Sequence, residues 1–502
     1  MNLERLRERA QTFNEDVARE GYLVYSGLKQ DASLQAIYAR YSDILSDDAF
    51  AECVERSRTA SSGSEEARSA RMLLEWQVES RLSRQLAPLE EREVTLENES
   101  VIRVGDGRVI PYQRAAIDIA NSTSAKDRDA IDSARARVVE ESLAPLRLER
   151  LQRERDAVEQ LGIAPGYNGT FEAVSGISLV TTAAQCEQFL RDTDSMWTST
   201  LHEQLKAFGI VPGEATRADA LAMFRLREFD YAFPASGMEG VIQRCCADMG
   251  IDSASSGRIK FDVGDRAGKR SRAFCSPVRI PDEVYLVLRP RGGQSDYSAF
   301  LHELGHALHF SNVRADYPFE YRWLGDNSVT EAYAMLFDHL MRHRGWLQRY
   351  TGMDRNRAAE FLRFAGFEEL HFVRRYCAKL LYERHLYSGS VDWKSLPDLY
   401  VEILGAATGF RYRRADAFLD LDARFYSARY LRAWQLQAVL DQSLTSRFDD
   451  DWWRNPAAGP WIVGDLFAEG QRESADEVAR RTAAAELSFG PLTRQIESLL
   501  NG

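Results

Sequence analysis

Two histidines four residues apart, with a glutamate beside the first, constrain this chain more than any other feature. His302, Glu303 and His306 lie in the run Phe300-Leu-His-Glu-Leu-Gly-His-Ala-Leu-His309. On an α-helix a step of four residues advances about 400°, so both imidazoles project from one face and can converge on a single ion. Phe300, Leu301, Leu304, Ala307 and Leu308 recur at helical spacing, and Ser295 or Asp296 is placed to cap the helix. Gly305 costs roughly 1 kcal/mol against alanine in a helix interior. A glycine kept there points to the close approach of another backbone or of a ligand. An HExxH helix carries zinc chemistry: the imidazoles hold the ion, and Glu303 takes a proton from a water whose pKa the metal lowers to about 7. The other reading of the triplet is a surface helix whose histidines bond to solvent, and a third ligand decides between them.

Two histidines need one more protein ligand if zinc is to keep a position open for water. Asn327-Ser-Val-Thr-Glu331-Ala-Tyr-Ala-Met-Leu-Phe-Asp338 offers it, since Val329, Ala332, Met335, Leu336 and Leu340 read as a buried helical face with Glu331 in the first turn. Ser328 and Glu331 also satisfy the S-x-x-E capping box, in which the glutamate serves only its own helix start. Sequence leaves both roles open. Asp338 lies two turns beyond Glu331 on the same face, where it either orients a ligand histidine through the free ring nitrogen or is an ordinary ion-paired carboxylate.

With those residues in hand, the chain resembles the thimet oligopeptidase and oligoendopeptidase F family of gluzincin metallopeptidases. His302 to His309 looks like the family's HExGHxxH pattern, and the separation from His302 to Glu331 is similar to the family's. The resemblance implies that His302, His306 and Glu331 hold one zinc per chain and that Glu303 is the general base. Arg424-Phe-Tyr426-Ser-Ala-Arg-Tyr430-Leu-Arg-Ala-Trp434 is similar to a tyrosine-rich segment whose phenols hydrogen-bond the oxyanion in the family. The i, i+4 spacing puts Tyr426 and Tyr430 on one helix face, where they either aim at one developing charge or simply pack. The chain departs from the family at Leu421-Asp422, where many members carry a histidine, and at Arg432-Ala433, where a further tyrosine is usual. Upstream, Gly264 to Cys275 reads as a mobile basic loop, and Val284 to Leu288 as a strand fenced by Pro281 and Pro290. Such a strand either pairs with an extended peptide or is simply buried.

A chain of 502 residues with 44% hydrophobic residues can bury more than one core. Its net charge of −12 argues against nucleic acid as a partner, because phosphate binding needs a concentrated basic surface. Six cysteines without a CxxC pair suit a reducing cytosol, and the charged start lacks an apolar signal core. No run approaches the eighteen or so apolar residues of a membrane span, so the expected location is cytoplasmic, with no membrane partner. Helical periodicity dominates. Alternation around Gly105-Asp106-Gly107 predicts a β-hairpin near 94–110, and Pro145 interrupts a long charged helical stretch from Lys126 to Leu161. Gly162-Ile-Ala-Pro-Gly166-Tyr-Asn-Gly169 gives the best boundary, dividing an N-terminal helical region, 1–165, from a catalytic helical region, 166–502.

The expected fold is therefore mostly α, with a small β element next to the zinc helix. The resemblance adds two helical lobes around a deep substrate channel. It also implies a zinc-dependent peptidase that cuts internal bonds of short oligopeptides. Two alternatives remain. One is a helical HExxH carboxypeptidase, whose HESQ-type motif is replaced here by Thr330-Glu-Ala-Tyr. The other is a non-catalytic peptide-binding protein with a structural metal, which would have no need of Glu303. Oligomeric state is left open.

Overall fold

The helical periodicity that runs through most of the sequence becomes a mostly α fold with two small sheets, in a computed structural model that describes residues 2–502. The chain forms two compact units. One comprises 78–226 and 364–428; the other comprises 1–77, 227–363 and 429–502.

In the unit comprising 78–226 and 364–428, the expected hairpin is present as β1 (Val101–Arg103) and β2 (Val109–Pro111), paired antiparallel with Ile102 opposite Ile110. Both isoleucines point to one face and join Ile119, Ile131 and Ala134 in a buried cluster. The hairpin begins later than Val94, because helix Glu65–Glu99, rich in Glu and Leu near its end, continues through that residue. Helices Ala125–Val138 and Ala144–Gln160 are joined by a π-helical turn, Val139–Leu143. Pro145 has no N–H and its ring crowds the carbonyl of Glu141, and a widened turn absorbs both defects without ending the helix.

In the other unit, β3 (Ile259–Asp262), β4 (Phe274–Arg279) and β5 (Glu283–Val287) form one sheet in the order β3-β5-β4. β5 pairs parallel with β3 and antiparallel with β4, so it is the central strand, with Val284 and Leu286 fully buried. Val284 to Leu288 therefore has both edges occupied and cannot take a peptide as an extra strand. β4 is the edge.

The basic loop between β3 and β4 is pinned, contrary to the mobile loop its glycines suggest. Lys269 Nζ is buried and donates to Asp262 O (2.7 Å), Asp262 Oδ1 (2.9 Å) and Gly264 O (2.7 Å). Arg270 N–H donates to Tyr25 O at 2.9 Å, at the end of the first helix, Leu3–Tyr25. Ser276 Oγ on β4 donates to Ala18 O of that helix at 3.1 Å. The sheet thus rests on the start of the chain and lies beside the HExxH helix, as expected of the small β element.

Candidate metal centre

The motif helix spans Gln294–Ser311 and buries Phe300, Leu301, Leu304, Ala307 and Leu308. It begins one residue before Ser295, after Gly293 at φ 93°, so neither Ser295 nor Asp296 caps it. Asp296 lies in the first turn, where its carboxylate accepts the N–H groups of Arg291 (2.6 Å) and Gly292 (2.9 Å) and so fixes the incoming loop.

The glutamate helix, Asn327–Asp338, is capped by Asp326, which accepts Ser328 N–H at 3.0 Å. Ser328 is thus inside the helix, and Glu331 is not part of a capping box. Burial would raise the Asp326 pKa, but the charges of Arg432 and Arg429 outweigh it, and the carboxyl sits at about 2. Gly305 explains how the two helices meet. A Cβ at that position would lie 2.6 Å from Ala334 Cα and 2.8 Å from Tyr333 O, so the backbones touch where the sequence omits a side chain.

Because the helices touch there, Glu331 is carried opposite the two histidines. Glu331 Oε2 lies 3.3 Å from His302 Nε2 and 3.6 Å from His306 Nε2. One donor atom from each of the three residues falls within 4.8 Å of the others. The far ring nitrogens are engaged: His302 Nδ1 with Asp338 Oδ2 at 2.8 Å, and His306 Nδ1 with Thr330 Oγ1 at 2.9 Å. Asp338 also meets His339 Nδ1 through Oδ1 at 2.5 Å. Burial opposes charge on Asp338, but His339 and His302 overcome it and hold its pKa well below the usual carboxylate range. An ionised Asp338 accepts a hydrogen bond from His302 Nδ1–H, so in the neutral ring Nε2 turns a lone pair toward Glu331.

Acceptors converging in this way need a positive charge among them. Burial disfavours charge on His302, yet Asp338 and Glu331 raise its pKa well above that of a free imidazole. The Glu331 carboxyl, despite burial, is pulled far below its ordinary value by the same histidines. Two imidazole nitrogens and one carboxylate are a donor set that fits zinc and leaves a coordination position for a further ligand.

Glu303 has the opposite electrostatics. Its Oε2 accepts Cys275 N–H of β4 at 2.7 Å. Burial raises its pKa, against the lowering effect of His306, His302 and that N–H.

Tyr426 and Tyr430 begin the helix Tyr426–Phe448, and both are half-buried. Tyr430 belongs to the unit that holds the donor set, whereas Tyr426 belongs to the other. Two arginines beside Tyr430 tie its helix to the start of the glutamate helix: Arg429 bonds Gly325 O (3.4 Å), and Arg432 bonds Asp326 Oδ2 (3.3 Å). The structure therefore gathers His302, Glu303, His306, Glu331 and Asp338 at one place and puts the tyrosines on a separate helix.

Sequence reasoning assigned no role to Thr330, His309 or His339, although each adjoins a residue it did assign or lies one turn from it. The i, i+3 relation of His306 and His309 was the available signal.

The sequence matches no family model and no curated protein. The fold has solved counterparts. An M32 carboxypeptidase from Deinococcus radiodurans R1 aligns with a TM-score of 0.63 at 14% identity over 99% of both chains. A carboxypeptidase from Pyrococcus furiosus aligns with a TM-score of 0.63 at 12% identity, again over 99% of both. An oligoendopeptidase F aligns with a TM-score of 0.67 at 15% identity, over 96% of this chain and 86% of that one. At these identities the likeness is one of fold.

Proposed function

We propose that this protein is a zinc-dependent metallopeptidase that hydrolyses internal bonds of short peptides in the cytoplasm. The observation that carries the reading is the gathering of His302, His306 and Glu331 beside a half-buried Glu303 whose pKa desolvation raises. His302, His306 and Glu331 would hold the zinc, which would supply a Lewis acid able to polarise a carbonyl and acidify water. Glu303, anchored through Oε2 on Cys275, offers Oε1 as the acceptor of the proton released when water attacks the carbonyl. The same carboxyl then delivers that proton to the departing amine. Asp338 holds the His302 ring, and Tyr430 or Tyr426 donates to the oxyanion of the tetrahedral intermediate.

A carboxypeptidase is the second reading, favoured by fold likeness to carboxypeptidases over 99% of both chains. Thr330-Glu-Ala-Tyr in place of an HESQ-type motif favours the first. A quenched-fluorescence peptide with a blocked N-terminus and an amidated C-terminus separates the two. The endopeptidase cuts it internally and loses activity to a zinc chelator. A carboxypeptidase leaves it intact and trims only the free-acid form. Cleavage of neither form by zinc-loaded protein would remove both readings and leave a non-catalytic peptide-binding protein with a structural metal.

A further inference from the structure

One carboxylate outside the donor set joins three helices. Asp326 caps the glutamate helix by accepting Ser328 N–H, and it also accepts the N–H of Ala475, the first residue of the helix Ala475–Ala483, at 3.0 Å. Its Oδ2 accepts from Arg432 Nη2 at 3.3 Å, and the same nitrogen reaches Asp476 Oδ2 at 2.7 Å. One turn earlier on the tyrosine helix, Arg429 donates to Gly325 O at 3.4 Å and pairs with Glu75. All of these residues belong to the unit that carries His302, His306 and Glu331.

Asp326, Glu75, Arg429 and Arg432 are buried. Taking such charges out of water is costly, and a well-packed apolar contact of similar volume often stabilises a fold as well or better. What the ions add is direction. An apolar helix face can turn or slide on its neighbour, whereas two planar guanidinium forks three residues apart, each on a fixed acceptor, select one rotation and one height of the helix. Tyr430 lies between those two arginines. The glutamate helix starts at the same corner, so the orientation of Tyr430 is tied to that of Glu331.

We propose that Asp326 and Arg432, with Arg429, are positioning residues that fix the rotation of the helix at Tyr430 against the helix of Glu331, and so set where the Tyr430 phenol points. The proposal rests for its purpose on the reading above in which a phenol serves the oxyanion, but the placement is measurable without catalysis. The leverage is large. At the side-chain envelope of a helix, about 5–6 Å from the axis, a turn of about 20° displaces a group by about 2 Å. A misplacement of about 1 Å can cost about 10²-fold in rate.

Arg432→Met removes the fork and keeps an apolar stem. With the zinc-loaded enzyme and the quenched peptide, it should lower kcat by about 10- to 100-fold and leave KM near that of the parent. Zinc affinity, measured by competition with a chromogenic chelator, should be unchanged, because Asp326 still caps the glutamate helix. In a Tyr430→Phe background the same substitution should cost about twofold or less, since no phenol is left to aim. A merely structural role predicts an equal loss in both backgrounds. In metal-free protein, 3-fluorotyrosine at position 430 should give one sharp ¹⁹F resonance in the parent and several, or a broadened one, in Arg432→Met, which loss of a nearby charge alone would not produce. Should Arg432→Met fail to fold, Arg432→Lys carries the same measurements, because it keeps the charge but offers a point donor in place of the fork. An equal kcat loss in both backgrounds, or a single sharp resonance in the variant, overturns the proposal. Full activity in Tyr430→Phe together with a split or broadened resonance would instead remove Tyr430 as the oxyanion donor and leave the positioning standing.

Discussion

Glu303 and Glu331 are identical side chains on two touching helices, yet their surroundings drive them in opposite directions. Glu331 is held ionised by two imidazoles, as a ligand must be, whereas burial makes Glu303 a readier proton acceptor. Glu303→Gln should therefore keep stoichiometric zinc and the same melting temperature while turnover falls by roughly 10²–10⁴, the range for a lost general base. Steady-state kinetics on the quenched peptide, with metal analysis of the same sample, checks both halves. For the phenols, losing a pre-organised oxyanion donor costs about 10²–10³ in rate. Tyr430→Phe is expected to show that loss in kcat with little change in KM. Tyr426→Phe is expected to show it in place of Tyr430→Phe if the donor lies one turn earlier, and full activity in both variants would exclude the pair. At this scale His302, Glu303 and His306 were legible because their relation is local, fixed by the pitch of one helix. Thr330 was not, because its partners lie on the facing helix and only the crossing brings them together.

At the scale of elements, the crossing of the motif and glutamate helices depends on one missing methyl. Gly305→Ala would place a Cβ within 2.6 Å of the Ala334 backbone, and backbone cannot rotate away as a side chain can. The helices must part. We expect destabilisation of about 1–3 kcal/mol by urea unfolding, typical of overpacking, against the small gain that alanine brings to an isolated helix. Zinc affinity should fall as well, because Glu331 moves with its helix. Sequence pointed to close approach at Gly305 but could not say of what. It also offered Ser328 and Glu331 as a capping box, where the fold uses Asp326, because the residue that starts a helix is decided partly by what else can hold it. Here that is Arg432 at 3.3 Å, together with Ala475 N–H at 3.0 Å. The strand at Val284 was visible from its β-branched run, but its central place in the sheet was not, since sheet order is a non-local property.

Across the whole molecule, acid should act through a histidine far from the metal centre in sequence. His371 is buried among Trp197, Phe224, Phe372 and Phe410. Burial, then the charges of Arg375, Arg217 and Arg374, lower its pKa from 6.5 to about 3. Below pH 6.5 the unfolded chain takes a proton that the native ring refuses. The stability of the neutral ring is thus fully present above that pH and is lost progressively as pH falls toward 3. His371→Phe should remove this term. Between pH 7 and 4.5 the parent should lose about 2–3 kcal/mol more than the variant, measured by urea unfolding at each pH. An equal loss in both would show that the ring is protonated in the native state at little cost. The mostly α character of the molecule was legible from periodicity. The pairing of distant segments into compact units was not, because no local pattern records it.

The metal centre borrows from both ends of the chain. The first helix supports β4, whose Cys275 holds Glu303, while Ala475 binds the cap of the glutamate helix from the C-terminal side. On a ribosome, His302 and His306 therefore emerge long before the residues that hold them in place. A nascent chain arrested near residue 460 would carry the full HExxH motif and Glu331 and yet lack an organised centre. Metal binding is therefore expected only once the chain has passed Ala475.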